Sequence, residues 1–229
     1  MYCPGNHDDR AAFAGTLGSG HLDADGGDVG LLGCSSEERA AVSVVSGVRV
    51  ITLDNLVPGP TPGWLSDEQL AWLRDLLAQP SPRGSVVVLH HPPIALGRMG
   101  QRAAGLQSPA ALSAALDGSD VQVVLCGHFH AQITGWLGPV PVWIGPGVYS
   151  RLDLLAPEGL DRAVRGAAAT VVDLAGAHAP MFHVVHARDP QAGQQVYLVD
   201  AVTQQDVDIE QAGDSPALRL DSASQEGRG

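Results

Sequence analysis

The 229 residues carry 13 Lys and Arg against 25 Asp and Glu, a formal charge of −12. That balance offers no basic patch for a phosphate backbone and excludes a nucleic-acid polymer as partner. Hydrophobic residues make up 45% and aromatic ones only 4%, so the chain can bury one large domain around an aliphatic core.

In chain order, Met1-Tyr2-Cys3-Pro4 reads as the end of a strand running straight into Gly5-Asn6-His7-Asp8. No signal peptide is visible, because this start has neither a basic n-region nor an apolar h-region. A short helix follows Asp9, then a stretch rich in Gly, Asp and Ser to about residue 40. Within it Asp23-Ala-Asp25-Gly26-Gly27-Asp28 lacks the distal Glu of a calcium loop and reads as a solvated loop. Val42–Val45 and Val48–Leu53 read as two strands joined at Gly47, followed by Asp54-Asn55 and a Pro- and Gly-rich loop to Gly63. Ser66-Asp67-Glu68-Gln69 has the capping-box pattern, and Leu70, Leu73 and Leu77 follow at helical spacing. Trp64, Trp72, Trp136 and Trp143 are read as core or loop-packing residues.

Ser85–Leu89 is a β-branched run, hence a buried strand, ending at His90-His91-Pro92-Pro93. A helix around Pro109–Leu116 precedes another buried strand, Val121–Cys126, ending at Gly127-His128-Phe129-His130. Short strands then follow at Val140–Ile144, Ala169–Leu174, Met181–Ala187 and Gln195–Val202. Residues 1–205 form the domain, and 206–229 a polar, disordered tail. No apolar run is long enough to span a bilayer. Cys3, Cys34 and Cys126 have no CxxC spacing and read as reduced thiols of a cytoplasmic protein. Helix–strand alternation followed by strand-rich sequence predicts two sheets packed face to face with helices outside.

Five of the nine histidines fall in three short loops, each directly after an apolar strand, where sheet-based folds assemble sites. In extended backbone His128 and His130 project to the same side and can aim both imidazoles at one place. His90 and His91 face opposite sides, so only one easily reaches a shared site. Asn6, His7 and Asp8 supply an amide oxygen, an imidazole and a carboxylate. His7 can act as acid or base, with Asp8 fixing its tautomer. His183 and His186 read as ordinary sheet residues.

Gly5-Asn6-His7-Asp8, the His90 loop and Gly127-His128-Phe129-His130 together resemble the calcineurin-like metallophosphoesterases. Leu89-His90-His91-Pro92-Pro93, Leu53-Asp54-Asn55 and Trp64-Leu65-Ser66 are most similar to the bacterial class III cyclic-nucleotide phosphodiesterases. The resemblance implies an α/β fold, a four-layer αββα sandwich of two mixed sheets. It implies two divalent metal ions, Mn, Fe or Zn, with Asn6, His90 and His128 on one and His130 on the other. His91 matches a position without a metal role. The implied reaction is hydrolysis of a small phosphodiester, such as a 3′,5′-cyclic nucleotide, by a hydroxide formed on the metals. Asn6 and His7 would meet the phosphate, and His7, with Asp8 behind it, would protonate the leaving oxygen.

The resemblance also implies DxH and GDxxD blocks ahead of Gly5, and neither occurs in the 229 residues. The expectation is an N-terminally truncated domain in which one metal site is incomplete. A non-catalytic binding or scaffold subunit of the same fold, a one-metal hydrolase and a homodimer all stay open.

Overall fold

Apolar β-branched runs separated by amphipathic helices dictate parallel strands, since such strands need a crossover to return to the same edge. The structure, a computed structural model, describes residues 1–34, 37–59, 61–95 and 104–207. Its main sheet contains β1 (Leu31–Leu32), β2 (Ala41–Val45), β3 (Val48–Thr52), β4 (Ser85–Leu89), β5 (Val121–Cys126), β6 (Ile133–Leu137) and β7 (Val140–Ile144). Their spatial order is β1-β2-β3-β4-β5-β7-β6. The β3-β4-β5-β7 neighbours are parallel, and both flanks are antiparallel.

Helix α2 (Asp67–Leu77) carries the crossover from β3 to β4, and α3 (Pro109–Leu116) that from β4 to β5. Their apolar faces supply Leu70, Leu73, Leu77, Leu112 and Leu116 to a core that includes Ile51, Leu89 and Val124 of the sheet. Each such burial contributes about 1.5–3 kcal/mol. Ser66 caps α2, its hydroxyl accepting from Gln69 N–H at 3.2 Å. Gln69 does not close the expected box. Its side chain turns inward, accepting from Asp54 N–H at 2.9 Å and donating to Asp54 O at 2.7 Å. The expected early helix is α1 (Arg10–Leu17), capped by Asp9, whose Oδ1 accepts from Ala12 N–H at 2.8 Å.

The strand-rich C-terminal part builds two small antiparallel sheets. One is ordered β12-β9-β8, from β8 (Ser150–Leu152), β9 (Leu160–Arg165) and β12 (Gln195–Asp200); the other pairs β10 (Ala168–Asp173) with β11 (Met181–His186). The class is the expected α/β sandwich, but the second layer is two antiparallel pieces in place of one mixed sheet. Trp143 of β7 anchors the hairpin by stacking on Phe182 at 4.7 Å and donating to Thr170 Oγ1 at 3.0 Å.

Some expectations fail locally. Met1–Pro4 joins no ladder; Tyr2 N–H donates to Gly20 O at 2.8 Å. Trp64 and Trp136 are 54% and 65% exposed, so neither is a core residue. The aspartate-rich loop, by contrast, is the exposed loop expected, with Asp23 Oδ1 accepting from Asp25 and Gly27 N–H groups. The polar tail expected from 206 lies outside the described residues beyond Val207, whose N–H still donates to Leu198 O at 3.0 Å.

His21 is a fully buried core histidine, with Nδ1 2.7 Å from Ser43 Oγ and Nε2 2.9 Å from Thr52 Oγ1. Burial pushes its pKa from 6.5 down to about 4. Unfolded chain therefore takes a proton that the folded state refuses, and this stability is lost as pH falls from 6.5 towards 4. Urea unfolding at pH 7 and pH 4.5 should show a difference to which His21 contributes roughly 2 kcal/mol. His21→Gln should flatten that slope; an unchanged slope would assign the acid sensitivity elsewhere.

Candidate active site

Parallel pairing sets the C-terminal ends of β3, β4 and β5 side by side. Thr52 is the register partner of Val88, and Leu89 that of Cys126. The loops leaving these ends are therefore neighbours, as strand-end sites require. Gly127 N–H donates to His90 O at 3.1 Å and Leu53 N–H to Val88 O at 2.8 Å, which continues the sheet into the loops.

Asn6, His90 and His128 converge. His90 Nε2 lies 3.0 Å from Asn6 Oδ1 and 3.3 Å from His128 Nδ1. Gly5 permits this approach, because a Cβ there would come within 2.9 Å of the His90 ring. His128 reaches the point by a different route from the one expected. Its φ is 68° and that of His130 is 47°, so a tight left-handed turn replaces extended backbone. His130 lies outside the three-ring cluster but lines the same cavity, its Nδ1 3.1 Å from Ser150 Oγ.

His91 was expected to face away, yet its ring centroid lies 5.0 Å from that of His90 and 4.5 Å from that of His128. One nitrogen from each of the three rings falls within 4.8 Å of the others. His91 is nonetheless engaged on both sides, with Nδ1 3.0 Å from Asn55 Oδ1 and Nε2 2.8 Å from Thr61 O. Both of those partners are acceptors and a neutral ring donates to only one of them, so His91 braces the cluster while its other nitrogen keeps a lone pair.

Burial depresses the pKa of His90 to about 4, with His91 adding to the effect, and that of His128 to about 3, with His91 and His90 adding to it. Both rings are neutral at neutral pH and present lone pairs. Neutral imidazole nitrogens and an amide oxygen converging at 3.0–3.3 Å form a donor set that fits Mn, Fe or Zn. Asn6, His90 and His128 would hold such an ion.

His7 is exposed and lines the same cavity. The expected His7–Asp8 hydrogen bond is not formed. Asp8 Oδ2 instead accepts from Gly5 N–H at 2.7 Å, and Asp8 N–H donates to Gly5 O at 3.0 Å, closing the loop on itself. Asp8 thus shapes the turn that presents His7. The cavity measures about 640 Å³ and extends from the histidines to Ser150, Leu152 and Tyr197.

Asp54 and Asn55, which in the sequence carry only a loop resemblance and no assigned role, hold this arrangement together. Fully buried Asp54 accepts from Arg10 Nε at 2.7 Å, Arg10 Nη2 at 3.1 Å, Arg39 N–H at 2.9 Å and Leu56 N–H at 3.0 Å. Arg10 Nη2 also donates to Leu56 O. Asn55 holds His91, and a Cβ at Gly63 would meet the His91 ring at 2.6 Å. The available signal was position, since Asp54-Asn55 ends an apolar strand just as the histidine loops do.

A family model described as calcineurin-like phosphoesterase matches residues 1–132. The chain belongs to the calcineurin-like phosphoesterase family. Its matched part contains all three converging loops. Among relatives of this phosphoesterase-family chain, a probable cyclic nucleotide phosphodiesterase of Rhodococcus erythropolis is 35% identical, covering 73% of this chain and 52% of the relative. A cAMP/cGMP dual specificity phosphodiesterase of Mycobacterium tuberculosis is 34% identical, covering 73% and 49%. A 3′,5′-cyclic adenosine monophosphate phosphodiesterase of Pseudomonas aeruginosa is 33% identical, covering 43% and 36%. The chain thus spans about half the length, or less, of these curated relatives. Among the described residues no helix is long and apolar enough to cross a membrane.

Proposed function

We propose that the chain is a metal-dependent phosphodiesterase acting on a small phosphodiester of the 3′,5′-cyclic-nucleotide class. The convergence of Asn6, His90 and His128 from three separate loops carries this reading, and the names of the similar proteins support the substrate class. Asn6, His90 and His128 hold one divalent ion, and His130 is the candidate ligand of a second. A bound divalent ion supplies charge that polarises phosphoryl oxygens and lowers the pKa of water.

The chain's own groups do the rest. His7, exposed on the cavity wall, donates a proton to the leaving oxygen. Asp8 keeps the Gly5 turn closed so that His7 stays at that wall. Ser150 fixes the His130 ring, and His91, clamped by Asn55 and Thr61, backs the His90 and His128 rings. The chain's charge of −12 repels an anionic substrate, and a cation at the histidine pole offsets that repulsion locally.

The test is hydrolysis of 3′,5′-cyclic AMP by the 229-residue chain with Mn(II), followed by release of the monophosphate. His7→Ala should lower kcat by about 10²–10⁴-fold with metal uptake unchanged. Metal uptake without hydrolysis would sink the catalytic reading. It would favour a phosphate-binding protein, a second reading suggested because the described residues gather one imidazole cluster, with His130 outside it.

A further inference from the structure

The cavity has two unlike ends. One is the histidine pole; the other is built by β8, β9, β12 and the turn after β12, all beyond the residues matched by the family model. The two are mechanically joined, because Leu152 N–H donates to His130 O at 3.0 Å and Ser150 meets the His130 ring. The far end is therefore held in register with the chemistry.

Across this small sheet Leu152 pairs with Ala163, and Ala163 with Tyr197. Cross-strand partners share a face, and all three line the cavity. Two strand spacings separate Leu152 from Tyr197, about 9–10 Å, and the residue between them is only an alanine. The result is a slot with an alanine floor, an aliphatic wall and an aromatic wall. The β9–β12 register shifts between Gln195 and Tyr197, an irregularity of the kind that re-aims a side chain beside a site.

Gln204 closes the same end from the following turn. Its φ of 58° places it in the sparsely populated left-handed region. Its Nε2 donates to Asp200 O at 3.4 Å and Ala201 O at 3.2 Å. Both amide hydrogens are thus used within the turn, and Oε1 is the group left to meet a ligand. A fixed acceptor beside an aromatic-walled slot selects a planar ring that carries an N–H donor.

We propose that Tyr197 and Gln204 are specificity-determining residues that recognise the heterocyclic base of the substrate, Tyr197 by stacking and Gln204 Oε1 by accepting from a ring or exocyclic N–H. This rests on the cyclic-nucleotide reading above for the identity of the ring, while the slot is a property of the C-terminal strands alone. A cavity of about 640 Å³ falls within the roughly 300–1,000 Å³ of sites that enclose a small organic molecule.

The test measures equilibrium binding of 3′,5′-cyclic AMP, adenosine and inorganic phosphate to the 229-residue chain, without hydrolysis as readout. Tyr197→Ala should weaken cyclic AMP and adenosine about tenfold, from lost base–aromatic stacking, and leave phosphate binding unchanged. Tyr197→Phe should stay within about threefold, since the ring face is kept, and Gln204→Leu should weaken adenosine but not phosphate. Tyr197 and Gln204 are both exposed, so the variants should melt like the parent. Unchanged cyclic AMP affinity in Tyr197→Ala, equal losses for phosphate and nucleotide, or no nucleotide binding by the parent would each overturn the proposal. Tyr197-dependent nucleotide binding by a chain that hydrolyses nothing would uphold the slot and count against the enzymatic reading only.

Discussion

Asp54→Ala should lower the unfolding free energy by about 3–5 kcal/mol, the usual loss when one member of a buried ion pair is removed. Asp54 is fully buried, whereas the Arg10 side chain is 19% exposed. The variant would strand the Arg10 guanidinium and leave the Arg39 and Leu56 N–H groups without their acceptor. Against a total stability of about 5–15 kcal/mol, that loss is a large fraction. Urea titration gives the number. Asp54→Asn keeps one oxygen acceptor and should lose less, and the Arg10→Met, Asp54→Ala double variant should recover part of the deficit. A shift below about 1 kcal/mol in Asp54→Ala would place the pair among weak surface contacts and remove the proposed tie between α1 and the loop after β3.

His90→Ala should reduce metal affinity by more than about 100-fold. Loss of a group that merely orients a ligand already costs about 10–100-fold, and His90 is the ring that both Asn6 and His128 face. Hydrolysis should fall with it. Calorimetric titration with Mn(II) or Zn(II) reads the affinity directly and does not depend on turnover. His91→Gln makes the informative contrast. Because its ring is positioned between Asn55 Oδ1 and Thr61 O, its replacement should act as an orienting loss, within the 10–100-fold range. Equal effects at 90 and 91 would mean that His91 is a ligand and that its hydrogen bonds yield to the metal.

Much of this architecture was legible before any coordinates. Val86–Leu89 is Val-rich and apolar without alternation, and Val121–Cys126 is apolar apart from Gln122, which is how strands buried on both faces read. Ser66 and Asp9 announced their helices through capping chemistry. The histidine loops were conspicuous because polar, metal-competent residues directly follow apolar strands. Strand β9 was not legible. Leu160-Asp161-Arg162-Ala163-Val164-Arg165 carries three charges in six residues and buries Asp161, so no alternation marks it. The GHxH turn was misread for another reason. Positive φ at His128 and His130 is rare for residues with a Cβ, and extended backbone was the natural assumption. Likewise, the Gln69 side chain could satisfy either its own helix start or a distant backbone, and tertiary contacts with Asp54 won. Tyr197 belongs to the same group. Its place in the cavity depends on a three-strand row that only the folded sheet defines.

The order of strands in the main sheet has a kinetic corollary. The atoms that meet at His90 come from positions 84 and 38 residues away along the chain, and loops of that span close slowly. No early hairpin or isolated helix can assemble such a constellation. Cation uptake should therefore follow these long-range closures, and a stopped-flow metal indicator mixed with refolding chain should lag behind the far-UV signal of the helices.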